Sequence, residues 1–272
     1  MSDGLRGGEP VILVVAGHDP SYRFENGRGV GAGVDADTEA AGHFGVATRN
    51  VVTAWTEQEA GRVFELGPVT PVVWLSEALR LGFELRFDLR ALKIGLLPGE
   101  AAVRAAAKLV RELRKIMPSL PVVVDPVLSA SGGEEFLDAA GRLALMEDLV
   151  PTGVVLTPNR LEAAALLGCA VGEDPELVAR SLFARGKARE APANRVRGVI
   201  LKGGHGREDP VRDFTVDGSG QVHVHEHPRK LGASLHGSGC RHASAVAANL
   251  SLGLTLDEAS ERAGAWLGTL MI

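Results

Sequence analysis

A short glycine-containing segment near the end of the chain has the residue types of an anion-binding loop. Positions 236–240 read His-Gly-Ser-Gly-Cys, and they lead directly into a helical stretch of small residues. We call residues 236–240 the glycine loop. Its two glycines allow a tight turn in which successive N–H groups point to one place, where the positive end of the following helix also acts. We therefore predict that Gly237, Ser238 and Gly239 bind a phosphate group. We expect Cys240 to have a lowered pKa, because the same field stabilises a thiolate.

Four further polar residues, Asp125, Asn159, Glu162 and Lys202, come within a few positions of the ends of apolar runs. In an open parallel sheet, ligands bind at the carboxyl ends of the strands. Carboxylate oxygens such as those of Asp125 and Glu162 suit Mg²⁺, which bridges nucleotide phosphates. Taken singly, Glu162 is equally consistent with a charge in the first turn of a helix, and Asp125 with a turn before a proline. Their occurrence at successive strand ends favours a functional role.

The elements that position these residues follow from hydrophobic patterning. Short β-branched apolar runs alternate with amphipathic stretches, which predicts an α/β fold with a mostly parallel central sheet and helices on both faces. The predicted strands are 11–16, 47–55, 92–96, 122–125, 154–157 and 199–201. The predicted helices are 34–44, 71–82, 100–116, 136–150, 160–168 and 175–187. Segments 211–216 and 221–227 flank Asp-Gly-Ser-Gly and predict an antiparallel edge hairpin.

Composition restricts the class of protein. A chain of 272 residues with 45% hydrophobic and 23% charged residues is typical of a globular protein. We find no linker and expect one domain over 1–272, with a flexible N terminus over 1–9. The net charge of -5 provides no basic face for nucleic acid. There is no membrane-spanning apolar run or signal-peptide core, so we expect no membrane partner and a cytoplasmic location. The two cysteines, Cys169 and Cys240, are too far apart in sequence for a disulfide framework.

Two other motifs are interpreted structurally. Residues 31–36, Gly-Ala-Gly-Val-Asp-Ala, match a dinucleotide-binding fingerprint. That fingerprint follows its strand directly, whereas this one is separated from the strand 11–16. His223, His225 and His227 share one face of a predicted strand. We interpret them as part of an exposed edge strand rather than as a metal site.

An ordered set of motifs over nearly the whole chain resembles the hydroxymethylpyrimidine/phosphomethylpyrimidine kinases of thiamine biosynthesis, within the ribokinase-like superfamily. The set begins with Gly-His-Asp-Pro-Ser at 17–21, Gly-Ala-Gly-Val-Asp-Ala-Asp at 31–37, and Thr-Ala at 53–54 with Gln58. It continues with Lys-Ile-Gly-Leu-Leu at 93–97, Asp-Pro-Val at 125–127, Thr-Pro-Asn through Glu-Ala at 157–163, Leu-Lys-Gly-Gly-His at 201–205 and the glycine loop. The order and spacing of the set are more specific than any one motif.

The resemblance implies ATP-dependent phosphorylation of the hydroxymethyl group of a small aminopyrimidine, and then of its monophosphate. The residues that it places around the pyrimidine are Gly17, Asp19, Ala32, Gly33, Asp37, Gln58, Leu96 and Val127. Asp37 and Gln58 would hydrogen-bond the pyrimidine edge, and Leu96 and Val127 would pack on the ring. The residues that it places near ATP are Asp125, Asn159, Lys202 and Gly204. Glu162 and Asp125 would hold Mg²⁺, and a monovalent cation is a further candidate.

The resemblance also assigns the catalytic loop. Cys240 occupies the position where sugar kinases of the superfamily have an aspartate base, and Gly237, Ser238 and Gly239 would stabilise charge on the transferring phosphoryl group. Relatives imply a homodimer. The chain departs from the family at 22–30, an insertion at the expected pocket rim. It also departs at Arg241 and His242, where smaller residues are usual.

Two other functions remain open from the sequence. A pyridoxal kinase belongs to the same superfamily and also phosphorylates a hydroxymethyl group on an aromatic heterocycle. A non-catalytic paralogue would bind the pyrimidine as a sensor. The presence of Asn159, Glu162, Lys202 and Cys240 argues against a sensor, because a protein that only binds pyrimidine has no need of them.

Overall fold

A computed structural model describes residues 8–19, 31–59, 62–130, 133–186, 195–204, 208–230 and 235–271. The strands are β1 (Val11–Asp19), β2 (Ala32–Gly33), β3 (Ala47–Glu59), β4 (Arg62–Pro68), β5 (Leu89–Ile94), β6 (Val122–Val124), β7 (Val155–Leu156), β8 (Gly198–Leu201), β9 (Val211–Val216) and β10 (Val222–His227). The helices are α1 (Val34–His43), α2 (Pro71–Glu84), α3 (Glu100–Ile116), α4 (Ala139–Ala144), α5 (Arg160–Leu167), α6 (Pro175–Arg185), α7 (Ser238–Ser251) and α8 (Leu256–Leu270).

The strands form one ten-stranded sheet in the order β10-β9-β8-β7-β6-β5-β1-β3-β4, with β2 paired to β1. The pairings from β3 through β1, β5, β6 and β7 to β8 are parallel. Antiparallel pairs lie at the two edges, β9 with β10 and β3 with β4. The predicted α/β class, parallel centre and edge hairpin are confirmed.

Helices cover both faces of the sheet because its central strands are apolar on both sides. Along β1, Leu13 and Val15 point into a core with α2, α3, α4, α5 and α6. The alternate residues Ile12 and Val14 point into a core with α1, α7 and α8. All four side chains are fully buried. The packing of α1 and α7 against the sheet therefore holds the first turn of α7, and with it the glycine loop, close to the strands.

Several predicted boundaries are wrong. The strand predicted at 47–55 continues to Glu59 and pairs with β4, which was not predicted because Gly67 and Pro68 at its end are weak strand formers. The strand predicted at 92–96 is β5, which ends at Ile94, so Leu96 lies beyond it. The helix predicted at 136–150 comprises α4, a π-helical turn and a 3-10 turn that ends at Gly153 in the left-handed conformation.

Two predicted segments fall largely or wholly outside the described residues. They are the flexible N terminus, of which residues 1–7 are outside, and the insertion 22–30. None of the helices in the described ranges is both long and apolar enough to cross a membrane.

Candidate active site

The carboxyl ends of β1, β5, β6, β7 and β8 lie side by side, because these five strands are consecutive neighbours in the parallel part of the sheet. The first turn of α7 lies against this edge. A Cβ atom built on Gly239 would be 3.3 Å from Lys202 Nζ and 3.6 Å from Asp125 Oδ2. The structure therefore brings together the glycine loop and the polar residues that follow β6 and β8.

Lys202 and Asp125 form a buried ion pair below this turn. Lys202 Nζ donates to Asp125 Oδ1 at 3.0 Å, and both side chains are largely buried. Burial opposes the charge on Asp125, but Lys202 and Lys93 outweigh it and lower the pKa of Asp125. Burial likewise opposes the charge on Lys202, and Asp125 and Glu162 outweigh it and raise the pKa of Lys202. The pair is therefore charged at neutral pH, with a cation next to the N-terminal end of α7.

Asn159 and Glu162 start α5 with a reciprocal capping box. Asn159 Oδ1 accepts the N–H of Glu162 at 2.9 Å, and Glu162 Oε2 accepts the N–H of Asn159 at 2.7 Å. The structural role considered for Glu162 is thus present. Burial raises the pKa of Glu162 to about 7, and Asp125 adds to this effect while Lys202 opposes it. A carboxyl group that is half protonated near neutral pH responds to any cation placed beside it.

The glycine loop is held in place by side chains around it. Gly237 is the N-cap of α7 and has a φ of 72°, which favours glycine. His236 Nε2 lies 3.3 Å from Asp19 Oδ2 at the end of β1. Arg241 Nη1 donates to the carbonyl oxygen of His236 at 2.6 Å. The role of His236 was not expected from the sequence, and the predicted contact of Asp19 with the substrate stays a prediction.

Cys240 lies in the first turn of α7 and is partly exposed. Its expected lowered pKa is wrong for this structure. Burial raises the pKa of Cys240 to about 12, and Asp37 and Asp125 add to this, although Lys93 and a hydrogen bond from the Gly33 backbone act in the opposite direction. A helix N-terminus contributes only about 0.3–1 kcal/mol, which is too little to offset the removal of a thiolate from water. At neutral pH, Cys240 is therefore a thiol in this structure.

A second buried ion pair joins β5 to α1. Lys93 Nζ donates to both carboxylate oxygens of Asp37, at 2.7 and 2.8 Å, and neither residue has exposed surface. Ser244 Oγ, on α7, donates to Asp37 Oδ1 at 2.8 Å. Asp37 thus uses its carboxylate within the protein instead of presenting it to an open pocket, and its contact with a pyrimidine stays a prediction. The sequence analysis missed this role of Lys93, although a lysine in an otherwise apolar strand is a signal for a buried partner.

The remaining predicted substrate residues divide into two groups. Ala32 and Gly33 in β2 pair with the end of β1, and Gly33 has a φ of 65°. A Cβ on Gly33 would lie 2.0 Å from the Gly17 carbonyl oxygen, so only glycine fits this approach. Leu96 and Val127 pack in one small apolar cluster, and Leu96 also lies against Gly17.

One predicted substrate residue cannot be placed by its side chain. Gln58 belongs to β3 and its backbone is described, but its side chain lies outside what the structure describes.

The two glycines after β8 have different surroundings. The N–H of Gly203 donates to Asp213 Oδ1 at 2.7 Å, so this amide is already used. Gly204, the residue predicted to contact ATP, has open space where a Cβ would be. Its contact with a nucleotide stays a prediction.

The histidines of β10 are not on an exposed face as expected. His223, His225 and His227 are partly buried toward α8, and His225 Nε2 lies 3.0 Å from Asp257 Oδ1. β10 is the edge strand as predicted, but its histidines are only partly exposed because α8 covers this side of the strand. Within the described ranges, no group of three or more His, Cys, Asp or Glu side chains is placed to hold a metal ion.

Two curated relatives are similar in sequence to most of this chain. A hydroxymethylpyrimidine/phosphomethylpyrimidine kinase of Rhizobium meliloti (strain 1021) is 31% identical over 257 residues, which cover 94% of this chain and 88% of the relative. A thiamine biosynthesis bifunctional protein of Geobacter sulfurreducens is 33% identical over 253 residues, 93% of this chain but 47% of that protein. The chain thus spans about half the length of the bifunctional relative.

Among solved structures, a pyridoxal kinase from Staphylococcus aureus in complex with AMP-PCP and pyridoxal is similar, with a TM-score of 0.76 and 25% identity. The likeness covers 96% of this chain and 87% of that one, and it confirms the ribokinase-like fold. The family model described as phosphomethylpyrimidine kinase matches residues 28–271. Since this match includes both buried ion pairs, the capping box and the glycine loop, the chain belongs to the phosphomethylpyrimidine kinase family.

Proposed function

We propose that this protein transfers the γ-phosphoryl group of ATP to the hydroxymethyl group of hydroxymethylpyrimidine, and then phosphorylates the resulting monophosphate, in thiamine biosynthesis. The observation that carries the proposal is the approach of Gly239 to Lys202 and Asp125, 3.3 and 3.6 Å from a built Cβ atom. The N-terminal end of α7 and the charged Lys202 therefore provide positive potential at the same place. Such potential stabilises the negative charge of a transferring phosphoryl group.

Each group has a definite part in this reaction. The substrate hydroxyl oxygen bonds to the γ-phosphorus, the bond to the ADP oxygen breaks, and the hydroxyl proton passes to Cys240 in its thiolate form or to solvent water. The amides of Gly239 and Cys240, together with Lys202 Nζ, stabilise the negative charge on the transferring group. The N–H of Ser238, which was also expected to bind phosphate, instead donates to the carbonyl oxygen of Leu235 at 3.2 Å. Cys240 can accept the hydroxyl proton only after it has lost its own, because its pKa is raised to about 12. We therefore expect the route that uses Cys240 as a base to become faster as pH rises.

Mg²⁺ fits the donors at this site. Asp125 and Glu162 offer hard carboxylate oxygens, and the charge on Asp125 contributes to the raised pKa of Glu162. Two protein ligands suit Mg²⁺, which keeps several waters and binds phosphate oxygens. When bound, the ion would neutralise charge on the nucleotide phosphates. A monovalent cation, a homodimer and a cytoplasmic location stay predictions.

Pyridoxal is the second candidate substrate. A pyridoxal kinase has the TM-score of 0.76 given above, and its complex includes pyridoxal and an ATP analogue. The curated relative at 31% identity is instead a kinase of hydroxymethylpyrimidine and phosphomethylpyrimidine, which favours the pyrimidine.

The test is a coupled measurement of ADP release with hydroxymethylpyrimidine, its monophosphate and pyridoxal, with and without Mg²⁺. We expect kcat/KM for the two pyrimidines to exceed that for pyridoxal. The Cys240→Ala variant separates an enzyme from a sensor, and Cys169→Ala is its matched control, since Cys169 follows α5, away from the glycine loop. If the protein binds the pyrimidine but releases no ADP above background, the proposal is wrong.

A further inference from the structure

We propose that Arg241 is a positioning residue for phosphoryl transfer, which fixes the glycine loop to α1 through Glu39. The inference rests on the kinase function proposed above and concerns a residue to which the sequence analysis gave no role. Arg241 directly follows Cys240 on α7.

Among the residues that the structure describes, Arg241 donates strong hydrogen bonds to α1 and to the glycine loop. Its Nε donates to Glu39 Oε2 on α1 at 2.7 Å, and its Nη1 donates to the carbonyl oxygen of His236 at 2.6 Å. Only 3% of the Arg241 side chain is exposed, compared with 34% for Glu39. A planar guanidinium group with several fixed donors can hold two acceptors at once, which a lysine ammonium does less well.

The contacts of Arg241 lie at the start of the glycine loop, where the proposed phosphoryl transfer requires the backbone to be accurately positioned. A Cβ atom on Gly237 would be 2.9 Å from Arg241 Nη1, so the guanidinium group lies against the backbone of the N-cap of α7. His236, whose carbonyl oxygen Arg241 binds, also has its ring 3.3 Å from Asp19 at the end of β1. His236, the first residue of the glycine loop, therefore contacts β1 through its imidazole ring. Its carbonyl oxygen binds Arg241, which in turn binds Glu39 on α1.

The same helix α1 is joined to α7 a second time. Asp37, two residues before Glu39, accepts from Ser244, three residues after Arg241. The two connections together fix α1 against the first turns of α7. Since α1 begins at Val34, directly after the β2 residues expected to contact the pyrimidine, the Arg241 connection sets the distance between the substrate side and the phosphate side.

The chain offers a matched control in Arg114, another buried arginine. Arg114 donates to the carbonyl oxygens of Leu120, Thr152 and Gly153 and has no hydrogen bond to the glycine loop. Loss of either arginine removes buried hydrogen bonds, but only loss of Arg241 frees the loop. A purely structural role for Arg241 would thus give both variants the same pattern of effects.

The test compares Arg241→Met, Arg241→Lys, Glu39→Gln and Arg114→Met. We expect Arg241→Met to lower kcat about 100-fold, as a displacement of about 1 Å does, with little change in KM for the pyrimidine. Arg241→Lys and Glu39→Gln should give intermediate losses, and the double variant Arg241→Met/Glu39→Gln should lose no more than Arg241→Met. Arg114→Met should lower the Tm but leave kcat near the wild-type value.

A second measurement does not depend on turnover. In a Cys169→Ala background, iodoacetamide should alkylate Cys240 about tenfold faster in Arg241→Met than in wild type, because the loop opens more often. If Arg241→Met and Glu39→Gln retain the wild-type kcat and alkylation rate, or if Arg114→Met changes both equally, the positioning role is refuted. If wild type turns over no pyrimidine and no pyridoxal, the kinase function fails, while alkylation still reports on the loop.

Discussion

Replacement of Lys202 by methionine removes the cation that pairs with Asp125 and preserves much of the side-chain volume. The ion pair is buried, with 13% of the Lys202 side chain and 3% of the Asp125 side chain exposed. Removal of one partner of such a pair typically costs about 3–5 kcal/mol. Lys93 also stabilises the charged form of Asp125 and remains in the variant. We therefore expect a loss at the lower end of this range, about 3 kcal/mol in the free energy of unfolding.

The loss should depend on pH. In wild type, the pKa of Asp125 is lowered, so its contribution to stability is present above its unfolded pKa and is lost as pH falls through its folded pKa. Without Lys202, only Lys93 offsets the burial of Asp125, and the pKa of Asp125 rises. In acid, protonation of Asp125 in the variant removes the cost of burying its unpaired charge. The difference in unfolding free energy between wild type and Lys202→Met should therefore shrink as the pH is lowered from neutral into the acid range.

The effect on catalysis should be separable from the effect on stability. Loss of one group that stabilises the transferring phosphoryl charge costs about 10²–10³ in kcat. The double variant Lys202→Met/Asp125→Asn removes both charges, so it should regain much of the lost stability but none of the activity. Urea unfolding and ADP release measure the two quantities on the same samples. The reasoning is refuted if Lys202→Met retains kcat/KM within about threefold of wild type, well short of the loss expected for a group that stabilises charge.

Three further predictions concern other parts of the site. Because the pKa of Glu162 is raised to about 7, its side chain becomes protonated and uncharged in acid. The kcat/KM for ATP should therefore fall about tenfold per pH unit below pH 7, and Glu162→Gln should remove this dependence. At alkaline pH, where more of Cys240 is deprotonated, Cys240→Ala should lower kcat by up to about 10²–10⁴-fold and abolish the rise of kcat with pH. Gly33→Ala should cost at least about 1–2 kcal/mol in unfolding free energy and raise KM for the pyrimidine, because alanine is strained at this φ and its Cβ would meet Gly17.

Each of these predictions has a control or a contradicting result. Glu258 forms a second capping box with Thr255 at the start of α8, so Glu258→Gln should leave the ATP profile unchanged. A pH profile that is identical in wild type and Glu162→Gln would exclude the carboxylate from nucleotide binding. Cys169→Ala should retain the wild-type kcat and pH dependence, and equal activity of Cys240→Ala would exclude a base at this position. An unaltered KM in Gly33→Ala would place the pyrimidine elsewhere.

The sequence was sufficient to predict the parallel sheet, because strands such as β1 are apolar on both faces and must be covered by helices on both sides. It also placed Asp125 and Lys202 at the ends of strands, and the carboxyl ends of neighbouring parallel strands lie along one edge of the sheet. It could not predict which polar group pairs with which. Lys93 and Asp37 are 56 positions apart and meet only through packing of α1 against the sheet.

The protonation state of Cys240 was outside the reach of sequence for a related reason. Its helix position is visible in sequence, but burial and two carboxylates from distant segments, Asp37 and Asp125, decide the pKa. Arg241 shows the same limit. A charged residue in a small-residue helix is evident from sequence, whereas its bond to Glu39 requires the fold.

The most direct test of the proposed activity follows the phosphorus atom itself. Wild-type protein is incubated with [γ-³²P]ATP, Mg²⁺ and hydroxymethylpyrimidine, and the products are separated and counted, with Lys202→Met in parallel. The account predicts label in the pyrimidine monophosphate and then in the diphosphate, with none above background in the variant at equal times. It would be contradicted by label that stays in ATP or appears only as inorganic phosphate, or by transfer to pyridoxal but not to the pyrimidine.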